Sequence, residues 1–415
     1  MKNSKIIKNK IYEFLDVDFC GSCGAPNLSQ IYNFGKVSLA GNFPLGSEVT
    51  EKFFIPMKLL ACEKCELVQI TPNVADSLLF LDYRYVSSIG MQSHFNEFAE
   101  WFFTKQYGNS TLKILEIGSN DGPLLQALKR KGFNPVGIDP AINIAKLAQD
   151  KGLAVITDYF DESALDKYGL RNSQDVVIAC NSFAHISDIS GIASAVSSSL
   201  KPSGIFIVEV QSLVALNRTN SFDFIYHEHK YYYTLKSISN LLYQFGLNLI
   251  DGIKINTHGG SYRLVFSKES KDKSKHLQEI ELQDSSTQSI KSDLQIGIDN
   301  FFNQIELTRN FLRKCQQEGK LVIGIGASGR ANMLLQYLGE DAKIIDMVLD
   351  ESPERIGRRM GFTGIPIRAL SEISSTQYDV VLILAWNYAS EISLKIPKTN
   401  RPTIVPLPTF QELIR

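Results

Sequence analysis

ILEIGSNDGPLLQAL, residues 114–128, decides the fold: an apolar run ends on an acidic residue and a glycine, crosses a polar turn and continues as a helix. Glycines at 118 and 122 let the backbone turn tightly and come close to a ligand. Downstream, the apolar runs PVGID (135–139), AVIT (154–157), DVVIAC (175–180) and GIFIVEV (204–210) alternate with helix-like segments. That alternation predicts a parallel sheet with helices on its faces, an α/β architecture. Two more strand-like runs follow, LNLID (247–251) and SYRLVFS (261–267), before the strongly polar stretch 268–284 marks a boundary or an exposed helix start. Leu294, Ile298, Phe301, Ile305 and Leu312 recur at helical spacing, ending near Gly319, which suits a helix C-terminus. LVIGIG (321–326), IIDMVLD (344–350) and DVVLILAW (379–386) then open a second strand-helix series.

The GSNDG turn lacks the GxGxxG spacing of a dinucleotide site, and Asp121 stands where a pyrophosphate would be repelled. A cationic sulfonium cofactor suits that acidic turn better. The pattern resembles motif I of class I methyltransferases, which implies S-adenosylmethionine held by Glu116, Gly118, Asn120, Asp121 and Gly122. By the same resemblance VGIDPA (136–141) is the next element, with Asp139 on the ribose hydroxyls, and Asp158, Tyr159 and Phe160 fall where this fold contacts the adenine.

Upstream, Cys20-Gly-Ser-Cys23 and Cys62-Glu-Lys-Cys65 form two CxxC knuckles. Two thiolates two residues apart chelate one Zn²⁺, and two such pairs complete a closed tetrahedral site with no open position, so the zinc is expected to be structural. A dithiol redox pair is the competing reading. The region to about residue 75 reads as a small, loop-rich module, with a β-rich insertion around Asn42, Phe43 and Pro44 filling the gap between knuckles. Cys180 and Cys315 sit in apolar contexts and read as inert core residues.

Length and charge narrow the function further. A chain of 415 residues suggests two or three domains. The reading adopted is a zinc-binding module over 1–80, a central Rossmann-like methyltransferase domain over 81–267 and a second α/β domain over 268–415 that contributes to substrate binding. With 43 Lys+Arg against 44 Asp+Glu there is no global attraction for nucleic acid or an anionic membrane. No apolar run approaches the roughly 20 residues that cross a bilayer, and the start lacks the features of a secretory signal, so a cytoplasmic protein is expected. The oligomeric state is not legible.

FDFIYHEHKYYYT (222–234) concentrates Tyr226, His227, Glu228 and His229 after the fifth strand, where open α/β sheets place ligands. A His with a nearby carboxylate is well suited to proton abstraction near neutral pH. In an extended segment His227 and His229 share one side while Glu228 points away, and the spacing does not match the HExxH of zinc proteases.

The Cys pairs, EIGSNDG, ACNSFAHI (179–186), IYHEHKYYYT, THGGSYR (257–263), GIGASGRANMLLQY (324–337) and LAWNYASEI (384–392) occur in the order seen in sugar C-methyltransferases, and the chain resembles that family along essentially its whole length. The resemblance implies a nucleotide-linked 4-keto-deoxysugar substrate. It places Tyr226, Glu228 and His229 in the catalytic cluster, Asn181 and His185 on the lining of the methyl-transfer site, and Tyr83 and Tyr85 in a segment closing over it. GIGASGRAN departs from the commoner pattern, which has an aromatic before Gly-Ala and a Lys after the small residues, and the role of this loop stays open. The implied chemistry has His229 remove the C3 proton with Glu228 in support, and Tyr226 and His185 stabilise the enolate. The alternatives are O-methylation on the same fold, and a non-catalytic zinc-knuckle scaffold, against which the neutral charge and the Tyr/His/Glu cluster argue.

Overall fold

The computed structural model describes residues 2–7, 10–46, 54–79, 86–105, 111–284 and 290–413. By compactness the chain divides into two units, Met1–Gln30, Leu60–Ala215 and Lys230–Gln288 in the first, Ile31–Leu59, Leu216–His229 and Ser289–Arg415 in the second. The chain therefore passes between units more than once. The stretch between the two cysteine knuckles, read from sequence as an insertion in the zinc module, belongs for the most part to the second unit.

The first unit is built on a seven-stranded sheet in the order Asn248–Ile255, Ser261–Ser267, Leu200–Gln211, Gln174–Cys180, Ile114–Ile117, Val136–Ile138, Val155–Ile156. The five strands from Leu200–Gln211 onward run parallel, and the two at the other edge add antiparallel. Every residue of Ile114–Ile117 is buried, as a strand covered on both faces must be. Helix Pro123–Arg130 starts directly after the turn, with Gly122 in the left-handed region (φ 79°) and proline at the first helical position.

The second unit carries a six-stranded sheet in the order Ile367–Ala369, Ile345–Asp350, Val322–Ile325, Val380–Ile383, Thr403–Val405, Gln411–Glu412, parallel except for the last. Helix Ile290–Gln317 buries Leu294, Ile298, Phe301, Ile305 and Leu312, the stripe its sequence spacing predicts. Its end is followed by Gly319 at φ 66°.

The N-terminal region is richer in strands than its punctuation suggested, with Leu28–Val37, Ile55–Cys62 and Val68–Thr71. Ile55, Met57 and Leu59 alternate inward with the more exposed Pro56 and Lys58, a period of two that glycine and proline counts do not register. Among the described residues no helix is long and apolar enough to cross a membrane.

Candidate active site

The two knuckles have nearly the same backbone. The Gly24 amide donates to the Cys20 carbonyl at 2.9 Å and the Glu66 amide to the Cys62 carbonyl at 3.0 Å. The closing residue is left-handed in both, Gly24 at φ 67° and Glu66 at φ 62°. These turns bring the four sulfurs within 4.8 Å of one another, with Cys20–Cys65 at 3.5 Å and Cys23–Cys62 at 3.6 Å. A disulfide would need about 2 Å, whereas the edge of a tetrahedron with Zn–S of about 2.3 Å is about 3.8 Å. The sulfur spacing fits zinc, and the cysteines are unbridged.

A second set of metal-competent donors, His94, Cys180 and Glu209, converges at the end of the seven-stranded sheet. Here Glu209 Oε2 lies 2.7 Å from His94 Nε2 and 2.7 Å from Cys180 Sγ. That is hydrogen-bond spacing, too close for an ion between the donors. Glu209 Oε1 accepts from Arg263 Nε at 2.5 Å, and both side chains are fully buried. The pair follows from register, because Glu209 lies directly opposite Arg263 across antiparallel strands. Burial pushes the Glu209 carboxyl up, but the His94 hydrogen bond and the Arg263 charge outweigh it and hold it down at about 2. Cys180, read from sequence as inert core, is thus part of a polar cluster, and burial beside Glu209 drives its thiol well above its usual range.

The same cluster fixes Asn181. Its amide donates to the Glu209 carbonyl at 3.1 Å and its side chain reaches Glu209 Oε2 at 3.5 Å, with φ at 58°. Asn120 is also left-handed (φ 52°), so two non-glycine residues hold uncommon backbone conformations at adjacent strand ends. His185 closes the short turn Phe183–His185 that follows Asn181.

Around the GSNDG turn the carboxylates largely brace the loop. Asp139 accepts the Asn120 amide at 2.8 Å and the Ala141 amide at 2.9 Å. Asp121 pairs with Lys151 at 2.7 Å and accepts the Ser88 amide at 3.1 Å, so its charge is already compensated. Glu116 differs. Its Oε2 is buried with no partner among the described residues, and burial, then the charges of Asp139, Glu209 and Asp121, raise its carboxyl well above the ordinary range. A cationic group is the natural complement of such a site. Gly118 (φ 70°) leaves room that a Cβ would close, coming within 2.6 Å of Ser182 Cβ. These features fit a cationic ligand with close backbone approach. Asp158 is held by Lys167 at 2.7 Å and Tyr168 at 2.9 Å, Tyr159 is exposed, and Phe160 packs into the hydrophobic core.

In the second unit the segment 226–229 is a turn, with the His229 amide donating to the Tyr226 carbonyl at 2.9 Å. The expected extended alternation is absent, because this bond pulls four residues out of strand geometry. His229 Nδ1 lies 2.8 Å from the Phe224 carbonyl, and a carbonyl can only accept, so Nδ1 carries the proton and the basic lone pair is on Nε2. The His229 ring stacks on Phe224 (centroids 4.0 Å, planes at 26°) and lies 4.1 Å from that of Tyr226. His227 is fully buried, its Nε2 donates to the Pro56 carbonyl at 3.3 Å, and burial lowers its pKa to about 4. Glu228 accepts the Gly41 amide at 2.9 Å. Tyr83, assigned from sequence to the closing segment with Tyr85, lies outside the described residues.

Sequence reasoning missed His94, Glu209 and Arg263. Lys230 was missed too, a fully buried ammonium bonded to Asp76 and Ser187. The signal for Glu209 and Arg263 was a lone charge inside each of the apolar runs GIFIVEV and SYRLVFS, whereas His94, in the helix Ser88–Thr104, had none.

Three family models match in sequence order: a zinc binding domain over residues 20–80, a methyltransferase domain over 91–251 and a C-methyltransferase C-terminal domain over 256–408. The C-methyltransferase NovU of Streptomyces niveus is 30% identical over 391 residues, 91% of this chain and 91% of that protein. A ubiquinone biosynthesis O-methyltransferase of Rhodopseudomonas palustris is 35% identical over 100 residues, covering 23% of this chain and 39% of its own. Among solved structures, the magnesium protoporphyrin IX methyltransferase ChlM of Synechocystis with bound SAM overlaps at TM-score 0.33 and 16% identity, over 43% of this chain and 79% of that chain. So loose an overlap carries no argument.

Proposed function

The chain belongs to the C-methyltransferase family, and from that premise we propose that it methylates C3 of a nucleotide-linked 4-keto-deoxysugar with His229 as the base. It is an S-adenosylmethionine-dependent enzyme with a structural zinc on Cys20, Cys23, Cys62 and Cys65. The cofactor, when bound, supplies an electrophilic methyl group on a sulfonium. The chain's own part is to hold that cofactor at the strand ends and to generate a carbon nucleophile.

The observation that carries the reading is the tautomer of His229. With Nδ1–H on the Phe224 carbonyl, Nε2 is the basic nitrogen, as a general base requires. A ketone makes its α-proton acidic enough for an imidazole to remove, and Tyr226 beside the ring and His185 are the groups assigned to the enolate oxygen. Glu228, seated on the Gly41 amide, is assigned support of the imidazolium. Glu116, Gly118, Asn120, Asp121, Gly122, Asp139, Asp158, Tyr159 and Phe160 are assigned to the cofactor, Asn181 to the transfer site and Tyr83 to the closing segment. The division into 1–80, 81–267 and 268–415 is kept as the functional organisation, and we place the enzyme in the cytoplasm.

The test is a mixture of the enzyme, methyl-labelled S-adenosylmethionine and nucleotide-linked 4-keto-deoxyhexoses. Label on C3 is expected; label on oxygen would replace this reading with O-methylation. With the demethylated cofactor in D₂O, wild-type enzyme is expected to wash deuterium into C3 and His229→Ala is not.

A further inference from the structure

The loop GIGASGR and the tryptophan of LAWNYASEI have no part in the chemistry above, yet both end on one carboxylate. Asp223, fully buried and six residues before His229, accepts Arg330 Nη2 at 2.8 Å on Oδ1 and Arg330 Nε at 3.1 Å on Oδ2. Trp386 Nε1 donates to the same Oδ2 at 2.8 Å. The guanidinium also lies over two rings, 4.6 Å from the Trp386 centroid and 5.4 Å from that of Phe224. Phe224 is the residue whose carbonyl takes the His229 Nδ1 proton and whose ring stacks on the imidazole.

The same helix, Gly329–Leu338, also holds the segment that anchors Glu228 of the turn. Asn332 Nδ2 donates to the Ala40 carbonyl at 2.8 Å and the Asn42 carbonyl at 3.1 Å, and its Oδ1 accepts the Gly361 amide at 3.1 Å. This fixes the short 40–42 segment whose Gly41 amide holds Glu228. The helix itself is set by Ser328, which accepts the Ala331 amide as its N-cap.

We infer that Arg330, with Asp223 and Trp386, is a positioning residue that sets the ring orientation and tautomer of His229. A buried ion pair is weak evidence for stability, since well-packed apolar side chains often do as well. What apolar side chains cannot do is fix the direction of the Phe224 carbonyl. A bidentate guanidinium pins the carboxylate of the preceding residue in both position and plane. A carbonyl free to swing would let Nδ1 and Nε2 exchange the proton, and the fraction of His229 carrying its lone pair on Nε2 would fall.

This rests on the proposed base only for its effect on turnover; the tautomer is measurable without substrate. Imidazole ¹⁵N shifts of histidine-labelled full-length protein, assigned with a His229→Gln control, are expected to show a single Nδ1–H tautomer in the wild type. Arg330→Lys keeps the charge and loses the fork. It is expected to move the His229 signals to an averaged position and to lower kcat ten- to a hundredfold, with the S-adenosylmethionine Kd unchanged by calorimetry. Trp386→Phe removes one donor and is expected to do the same more weakly; it carries the test should Arg330→Lys not fold. Folded variants with the wild-type His229 signature would overturn the inference. An averaged signature with undiminished deuterium wash-in would leave the positioning role standing and remove His229 as the base.

Discussion

The sheet-end cluster around Glu209 and the turn carrying His229 both bury ionisable side chains, and they treat charge in opposite ways. Around Glu209 the charge is kept: a carboxylate takes Arg263, His94 and Cys180 together, and its protonation is held off to about pH 2. In the turn both histidines give an N–H to a backbone carbonyl, and His227 is neutral at ordinary pH. A buried group whose charge is fully paired serves architecture, because altering its protonation breaks the pair. A ring with one nitrogen committed and its lone pair defined on the other can take up a proton without dismantling the fold.

The largest effect expected from this contrast is on turnover. His229→Ala should lose about 10²–10⁴-fold in kcat while retaining cofactor affinity by calorimetry. His227→Ala should act through stability, with a lower Tm and a kcat much closer to wild type. Near-normal turnover in the first variant with loss in the second would reverse the assignment of the two rings.

Next comes the cluster. Glu209→Gln keeps the shape but takes away the buried counter-charge of Arg263, leaving it the longer contact of 3.4 Å to the exposed Glu97, and breaking such a buried pair costs about 3–5 kcal/mol. Denaturant unfolding should show that loss in the first unit. A variant within about 1 kcal/mol of wild type would mean that water or another group takes over the pairing, and the distinction between the regions would weaken.

The two regions were also unequally legible. Strand ends and glycines mark the GSNDG turn because a parallel sheet forces ligands to that edge, and Ile114–Ile117, Val136–Ile138 and Gln174–Cys180 lie where the apolar runs put them. The Glu209–Arg263 pair was not read because it depends on register between strands over fifty residues apart, which a linear pattern does not contain. At 226–229 the error was local. Aromatic residues and alternation suggested an extended segment, and a single backbone hydrogen bond made it a turn. His229 is singled out by family resemblance together with that expected alternation; the turn removes the second ground, and the bond of its Nδ1 to the Phe224 carbonyl is a contact that no linear pattern contains. The role of GIGASGR was invisible for the same reason as the Glu209 pair, since Arg330 and Asp223 are 107 residues apart.

Acid sharpens the comparison without mutation. His227 has its folded pKa lowered from 6.5 to about 4 by burial, with the Pro56 carbonyl opposing the shift. The unfolded chain therefore binds the proton first. The stabilisation is complete above pH 6.5 and is lost as pH falls to about 4, worth about 3 kcal/mol over that window. Glu209, lowered to about 2, contributes in the same direction but in a lower window, below the ordinary carboxyl range. Unfolding measured at pH 7, 5.5 and 4.5 should show the decline, and His227→Phe should flatten it while leaving the steeper loss below pH 4. An unchanged slope in His227→Phe would assign the acid sensitivity elsewhere.

The smallest effect is expected at Asp139, which belongs to neither pattern. Its carboxylate is buried and has no positively charged partner in hydrogen-bond contact among the described residues; its oxygens accept the Asn120 and Ala141 amides. Burial raises its pKa while those two bonds lower it, with burial dominant. Asp139→Asn keeps the size and one acceptor oxygen, now neutral, so one of the two amides loses its acceptor, the other loses its charged partner, and the left-handed Asn120 loosens. A hydrogen bond to a charged group is worth about 1.5–3 kcal/mol, and part of that should appear as cofactor affinity because Asn120 belongs to the turn assigned to S-adenosylmethionine. About a tenfold weaker Kd is expected by calorimetry, roughly 1.4 kcal/mol, with zinc content unchanged. Wild-type affinity would mean that Asp139 braces the loop without bearing on the ligand. A loss of several hundredfold would mean that the carboxylate contacts the cofactor directly, as its position after the second strand suggests, and that its bonds to the loop amides are the lesser part of its role.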